Sequence, residues 1–422
     1  MHLLQPRCVK FVSWLGLAVV ALLGVFGFGH QYDLSLTQTD CRALLEVVGR
    51  AIREDFSPYQ RASVESLSAV LRFPVDELFY PPSFIALAAP FTLSGEAFSR
   101  VLILVAQVLC FGYVISRSAK EIPARHQAWV WLSPVAFLAL FQTARFGQLS
   151  CFACAAVLCF WDRWRAGRMD LVAALLLFVA TVKPSISLAL LVFLLLERSF
   201  ALLFVVALMH VGAGWIASQL SGVALWSLST EWLSSLASYR ELPQNSPTGS
   251  FVYGLSTLVH RFTDTQYSFD WLALPLSYAV WRMKNLFTQH ECIALLLLIS
   301  FVVGAPHAYD FLLLLPALWS VCGRAMPAGD GDRALSWGTG MCILVSVMLL
   351  LPQRVLLSAG FTSFDSILRV SAPLVLGIAL VAGRRSPRQS RSNEYVLQLY
   401  SRLREWVQWH SVGTRAPHDK AS

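Results

Sequence analysis

The chain has 422 residues, 56% hydrophobic and only 14% charged, with a mean hydropathy of +0.59. A water-soluble fold of this size cannot bury that much apolar side chain, so a soluble protein is excluded and a polytopic membrane protein is expected. The net charge of +8 sits in short basic clusters between apolar runs and in the tail, which is the positive-inside pattern and not a nucleic-acid surface.

The apolar runs are continuous, not alternating, which excludes a transmembrane barrel, because unpaired backbone amides in hydrocarbon leave helices as the alternative. An all-α fold follows. Of nine cysteines, seven lie in or at the edges of apolar runs, and no disulfide framework is implied. Cys151 and Cys154 have no second ligand pair to make a zinc or redox site, so they read as small apolar residues on a helix.

In chain order, Arg7 and Lys10 precede an apolar run at 11–29 without a small-x-small cleavage site after it, which predicts an uncleaved first span with a cytoplasmic amino terminus. The charged loop at 30–80 then faces outward. Within it 37–53 is expected to be helical, with Leu44, Leu45, Val48 and Ile52 on one face against the membrane surface. Tyr80-Pro81-Pro82 opens a run ending near Leu93 that is too short for a hydrocarbon core of about 30 Å, so a re-entrant or interfacial helix is expected there. Crossings are predicted at 97–115, 128–142, 148–161, 170–182, 184–196 and 200–220.

A polar segment at 221–250 follows, and a broken apolar stretch at 251–281 is taken as one crossing. The last runs are 292–304, 311–321, 335–351 and 367–381, giving about twelve spans with the carboxyl terminus inside. Five basic clusters, at 117–125, 163–168, 282–284, 324–333 and 384–391, then share the cytoplasmic face. Residues 1–383 form the membrane-embedded domain and 384–422 a basic cytoplasmic tail. In that tail Val396, Leu399, Leu403, Trp406 and Val407 fall on one helical face, as in a helix lying on an anionic leaflet.

This topology brings four polar stations to the outer boundary: Asp40 after the first span, Arg145-Phe146-Gly147-Gln148, Lys183-Pro184, and Pro306-His307-Ala308-Tyr309-Asp310. Ionisable residues at the edge of apolar runs are costly and so are functional candidates. Lys183 reads either as a snorkelling cation or as a phosphate ligand. The proline after it biases it away from helical geometry and aims its ammonium at the outer face. His307 and Tyr309 could add donors to the same phosphate, or the segment could be a helix start capped by Asp310. Residue types alone leave Asp40 in competition with Asp33 and Asp55 for a catalytic role.

The series Thr39-Asp40 through Pro58-Tyr59, Phe79-Tyr80-Pro81-Pro82 with Pro90, Ser133-Pro134, Gly147-Gln148, Lys183-Pro184 and Pro306-His307-Ala308-Tyr309-Asp310 resembles glycosyltransferase family 87. These are polyprenol-phosphate-mannose-dependent alpha-mannosyltransferases of the C-type superfamily, with a large first extracytoplasmic loop. The resemblance implies that Asp40 is the catalytic base and that Lys183, His307 and Tyr309 stabilise the leaving phosphate. It also implies that Gln148 and Tyr80 shape the sugar pocket, with Arg145 and Asp310 at the substrate site.

The resemblance further implies transfer of a hexose, foremost mannose, from a polyprenyl-phosphate sugar to a lipid or glycan hydroxyl outside the plasma membrane, with inversion and without a cofactor or metal. The sequence departs from the family pattern where Gln148 is followed by Leu149-Ser150 in place of an apolar residue and Asn. The alternative class is a secondary transporter or lipid flippase, but no internal repeat of the kind such proteins carry is visible.

Overall fold

The computed structural model describes residues 18–19, 39–54, 56–60, 78–120, 122, 134–239, 252–265, 267–304, 306–325 and 362–382. Among these the chain is helical, with no strand beyond an isolated antiparallel bridge between Val252 and His307. The runs expected at 11–29 (apart from 18–19) and 335–351, the tail helix, Asp33 and Asp55 lie outside the described residues.

The loop helix α1 (Thr39–Arg53) forms much as its pattern predicts, burying Val47, Val48 and Ala51 while Leu44 and Ile52 pack beside them. It lies on α2 (Ser83–Leu93), which starts directly after Pro81-Pro82, where a missing amide hydrogen costs no intrahelical bond. With 11 residues, α2 is about 16 Å long. Ser94 and Ser99 donate to the carbonyls of Pro90 and Phe91 at 3.2 and 2.5 Å, so these carbonyls freed at its end stay bonded. Gly95, at φ +85°, turns the chain into α3 (Glu96–Ala119).

Helices α4 (Pro134–Phe146), α5 (Ser150–Arg165), α6 (Leu171–Thr181), α7 (Pro184–Leu196) and α8 (Phe200–Ser221) follow at the places where crossings are expected. Asp170 caps α6, accepting from the Ala173 amide at 3.0 Å. The polar segment at 221–250 holds an unexpected helix, α9 (Leu225–Ser238). The stretch at 251–281 is not one continuous helix: it divides into α10 (Leu255–Thr263) and, after a 3-10 turn at Asp270–Leu272, α11 (Ala273–Arg282). Asp264, at φ +53°, stops α10 and sets that break.

Helix α12 (Gln289–Val303) is the central post. Thr288 and Glu291 close its amino end with reciprocal side-chain bonds to backbone amides, and from His290 to Val303 every residue but Ile299 is buried. A helix apolar on all sides must be surrounded, and here α7, α11, α13 (Leu315–Ala325) and α14 (Thr362–Ala382) surround it. A 3-10 helix at Ala308–Leu314 leads into α13.

Among the described residues two helices are long and apolar enough to cross a membrane, at Ala97–Ala119 and Phe200–Ser221, and six shorter apolar helices accompany them. Both long helices present a lipid-type face: Phe98, Val101, Val105 and Leu109 on α3, and Phe204, Leu208, Val211 and Trp215 on α8 are exposed. At one end of the bundle Arg117 makes paired bonds to Asp162 at 2.6 and 2.7 Å and reaches His290 Nδ1 at 2.9 Å. Lys284 pairs with Glu197 and Arg163 with Asp170 at the same end. Three of the basic clusters therefore gather on one side. Asp170, in the connecting turn, has its carboxyl held below the usual range by the Arg163 guanidinium.

Candidate functional site

The other ends of α5, α7 and α12 meet in a polar cluster. Lys183 stands between α6 and α7 with φ −109° and ψ 86°, the non-helical geometry that a following proline imposes. Its ammonium contacts Asp310 Oδ1 at 2.9 Å, donates to Ser150 Oγ, and lies 4.9 Å from the centre of the Tyr309 ring. Ser150, the first residue of α5, in turn donates to Asp310 Oδ1 at 2.5 Å. The second Asp310 oxygen accepts from the His307 backbone amide at 2.9 Å. Both carboxylate oxygens are thus engaged in a buried setting, with Asp310 only 4% exposed, and an ion pair so placed is held by the hydrogen bonds around it.

An aromatic stack continues the cluster. His307 lies parallel on Tyr309 at 5.1 Å, Phe146 meets Tyr309 edge-on at 6.2 Å, and the Arg145 guanidinium sits 4.8 Å from the centre of the Phe146 ring. Backbone pairing fixes His307: Val252 bridges it and Tyr253 N–H donates to Pro306 O at 2.8 Å. Gln148 is buried behind the left-handed turn at Gly147, φ +71°. There both amides return to Thr143 O, closing the end of α4. The Gln148 carbonyl accepts from Gln107 on α3 at 3.0 Å.

Tyr80 stands beside this cluster, not in it. Its ring packs on Phe84 at 4.8 Å and its carbonyl accepts from Tyr59 OH at 2.9 Å. Burial pushes the Tyr59 phenol well above its ordinary pKa, so it remains a neutral donor. One apolar cluster holds Tyr59, Phe84 and Val182 with Tyr80 and Leu149 against it, joining the loop side to the neighbours of Lys183 and Ser150. Asp40 is in the first turn of α1, which packs on α2, α4 and α8; its side chain lies outside the described residues.

The structure therefore joins Arg145, Lys183, His307, Tyr309 and Asp310 in one patch with Gln148 at its edge. It adds Ser150, which the sequence reading noted only as a departure where Asn was expected. Gln107 was missed as well; an amide inside an apolar run is the signal that could have found it. Glu231 of α9 was a third omission: it accepts from Gln60 Nε2 at 2.8 Å and from Ser57 Oγ, tying the loop to α9. Arg145, Lys183 and Asp310 together carry one net positive charge, suited to an anion. Among the described residues no group of three or more His, Cys, Asp or Glu side chains could hold a metal ion.

The site also lies deeper than a boundary position. Gln107, which reaches Gln148, is midway along α3, and His210, which reaches Thr181, is midway along α8. Helices α6 and α7, with 11 and 13 residues, are about 16 and 20 Å long. They turn back at Lys183 well before α3 and α8 end. The cluster thus lies midway along the two long helices, and α2 begins at its level.

No curated protein and no solved structure matches the chain. The model of glycosyltransferase family 87 matches residues 78–316. That is more than half of the chain, and it includes every residue of the cluster while leaving α1 and Asp40 outside the matched span. On this match the chain belongs to glycosyltransferase family 87.

Proposed function

We propose that this glycosyltransferase moves a hexose, foremost mannose, from a polyprenyl-phosphate sugar to a lipid or glycan hydroxyl on the extracytoplasmic face of the plasma membrane. The observation that carries the reading is the cluster of Lys183, Ser150, Tyr309 and His307 midway along the long helices, which we read as the floor of a recess with α2 along one wall. A cation with hydroxyl and aromatic donors, recessed between apolar walls, suits a phosphate on a lipid chain. The positive-inside pattern of the basic turns supports an outward-facing recess in a multi-pass fold with both termini cytoplasmic.

In the reaction Asp40 takes the proton from the acceptor hydroxyl, whose oxygen attacks the anomeric carbon. The bond from that carbon to the phosphate oxygen breaks, and its electron pair leaves with the polyprenyl phosphate, so configuration inverts. The phosphate is a weak base and needs no general acid, unlike the alcohol released by a glycosidase. Lys183, His307 and Tyr309 stabilise the charge growing on it, Arg145 adds positive potential at the rim, and Gln148 and Tyr80 line the sugar pocket.

The test offers radiolabelled polyprenyl-phosphate sugars to the purified full chain with a membrane lipid extract as acceptor. Label is expected to pass into lipid with the wild type. Asp40→Asn should abolish transfer while still inserting in membranes, and Asp33→Asn and Asp55→Asn should retain it. Normal turnover by Asp40→Asn would remove Asp40 as the base.

A further inference from the structure

His210 is the one ionisable residue within the 22-residue α8, and no step above uses it. Polar side chains inside a span are costly to keep without a partner, and this one has two. Its Nδ1 is 2.7 Å from Ser83 Oγ at the start of α2, and its Nε2 is 2.8 Å from Thr181 Oγ1 at the end of α6. Phe178 packs on the ring at 4.7 Å.

The directions of these bonds follow from Thr181. Its hydroxyl proton goes to its own helix, with Phe178 O at 2.8 Å and Leu177 O at 3.0 Å, so its oxygen accepts from Nε2–H. Nδ1 then carries the lone pair and accepts from the Ser83 hydroxyl, which fixes one neutral tautomer.

What the bridge joins matters more than the bridge. Ser83 follows Tyr80-Pro81-Pro82, and Thr181 precedes Lys183-Pro184 by two residues. Close packing supports the same contact, since Gly214, one turn further along α8, would place a Cβ 3.8 Å from Pro82 and 2.9 Å from Leu225. We propose that His210 is a positioning residue that ties the Tyr80 turn to the Lys183 turn and so sets the width of the recess between sugar pocket and phosphate site. The kinetic consequence rests on the glycosyl-transfer reading, whereas the structural tie does not.

The test therefore has two readouts on the full chain in lipid nanodiscs. Backbone amide exchange at residues 80–85 and 181–186 is measured for the wild type, His210→Phe and His210→Gln. Phe keeps the ring volume without hydrogen bonds, and Gln keeps a donor for Thr181. His210→Phe is expected to speed exchange in both segments together, at least several-fold, with Gln in between. Unchanged exchange in either segment overturns the tie.

Where the wild type transfers sugar, His210→Phe should lower kcat about ten- to a hundredfold, as misplacement by an ångström does, with donor KM changed far less. Adding Ser83→Ala to His210→Phe should then cost nothing further. Full kcat in His210→Phe, or an additive loss with Ser83→Ala, reduces His210 to a packing residue. A wild type inactive with every polyprenyl-phosphate sugar counts against the proposed reaction, and the exchange result still decides the tie.

Discussion

Lys183 and Asp310 are the residue pair on which the site depends. Removing one member of a buried pair leaves the other charge without a partner, at a cost of about 3–5 kcal/mol, while replacing both with apolar groups can be nearly neutral. Lys183→Met alone and Asp310→Leu alone should each lower the thermal midpoint of the detergent-solubilised protein. The double variant should recover much of that loss while remaining inactive. Additive losses would show that the 2.9 Å contact contributes no coupling. Lys183 is legible in the sequence because a cation before proline at a break in an apolar run has few other uses. Ser150 is not, because a serine opening a helix is common and nothing local points to a lysine 33 residues away. His210 was legible by the same rule as Lys183, as an ionisable group in an apolar run, but it lies at mid-span, away from the turns where the sequence reading looked. The selection of Asp40 from among Asp33 and Asp55 came from family resemblance, and the family match begins at residue 78.

At the scale of elements, the position of His307 depends on a turn made possible by Gly254. Its φ is +130°, and an added Cβ would lie 2.6 Å from Gly304 O and 3.2 Å from Pro306 Cδ. Gly254→Ala is therefore expected to cost about 1–3 kcal/mol from the backbone alone, with a further clash that pushes residues 304–307 off the Val252 bridge. The control is Gly212→Ala in α8, where nothing lies within 4 Å of the new methyl and an alanine gains up to about 1 kcal/mol of helix propensity. Thermal unfolding should rank Gly254→Ala below wild type and Gly212→Ala level or above. Equal midpoints for the two alanine variants would mean that the 304–307 segment adjusts freely. The helix bounds of α7 were readable because Lys183-Pro184 starts it and Glu197-Arg198 ends it. Helix α9 was hidden because serines and threonine interrupt its apolar period: its buried residues are Leu228 and Ser235, with Ser235 donating to Leu78 O and Trp232 to Phe79 O. The break between α10 and α11 was legible in the polar residues between His260 and Asp270, whereas the bounds of the two helices on either side of it were not.

For the whole molecule, helix length explains why a polar cluster can exist so far inside an apolar fold. Helices α3 and α8 have 24 and 22 residues, about 36 and 33 Å, enough for a hydrocarbon core of about 30 Å. Helices α5, α6 and α7 start at the basic end or return to it, and their opposite ends meet at Lys183 roughly halfway. The remaining depth, about 16 Å by helix rise from Gln107 to the start of α3, is where the proposed recess would lie, with α2 along one side and the loop helix α1 packed on α2. A recess of this kind has a direction, and the basic turns set it: Arg117, Arg163, Arg165, Arg168 and Lys284 all stand at the closed end. The sequence pattern counted these clusters correctly as one side, but short helices made the number of crossings unreadable, since 11 to 15 apolar residues serve equally as a half-span or as a buried post such as α12. Orientation can be measured directly. Ser94, in the turn between α2 and α3, is exposed at the open end, and Arg168, in the turn between α5 and α6, is exposed at the closed end. Ser94→Cys should react with a membrane-impermeant maleimide added to intact cells, above the signal of the parent protein. Arg168→Cys should react only in inverted vesicles or after permeabilisation. The reverse pattern would turn the recess toward the cytoplasm and overturn the extracytoplasmic reading of the site.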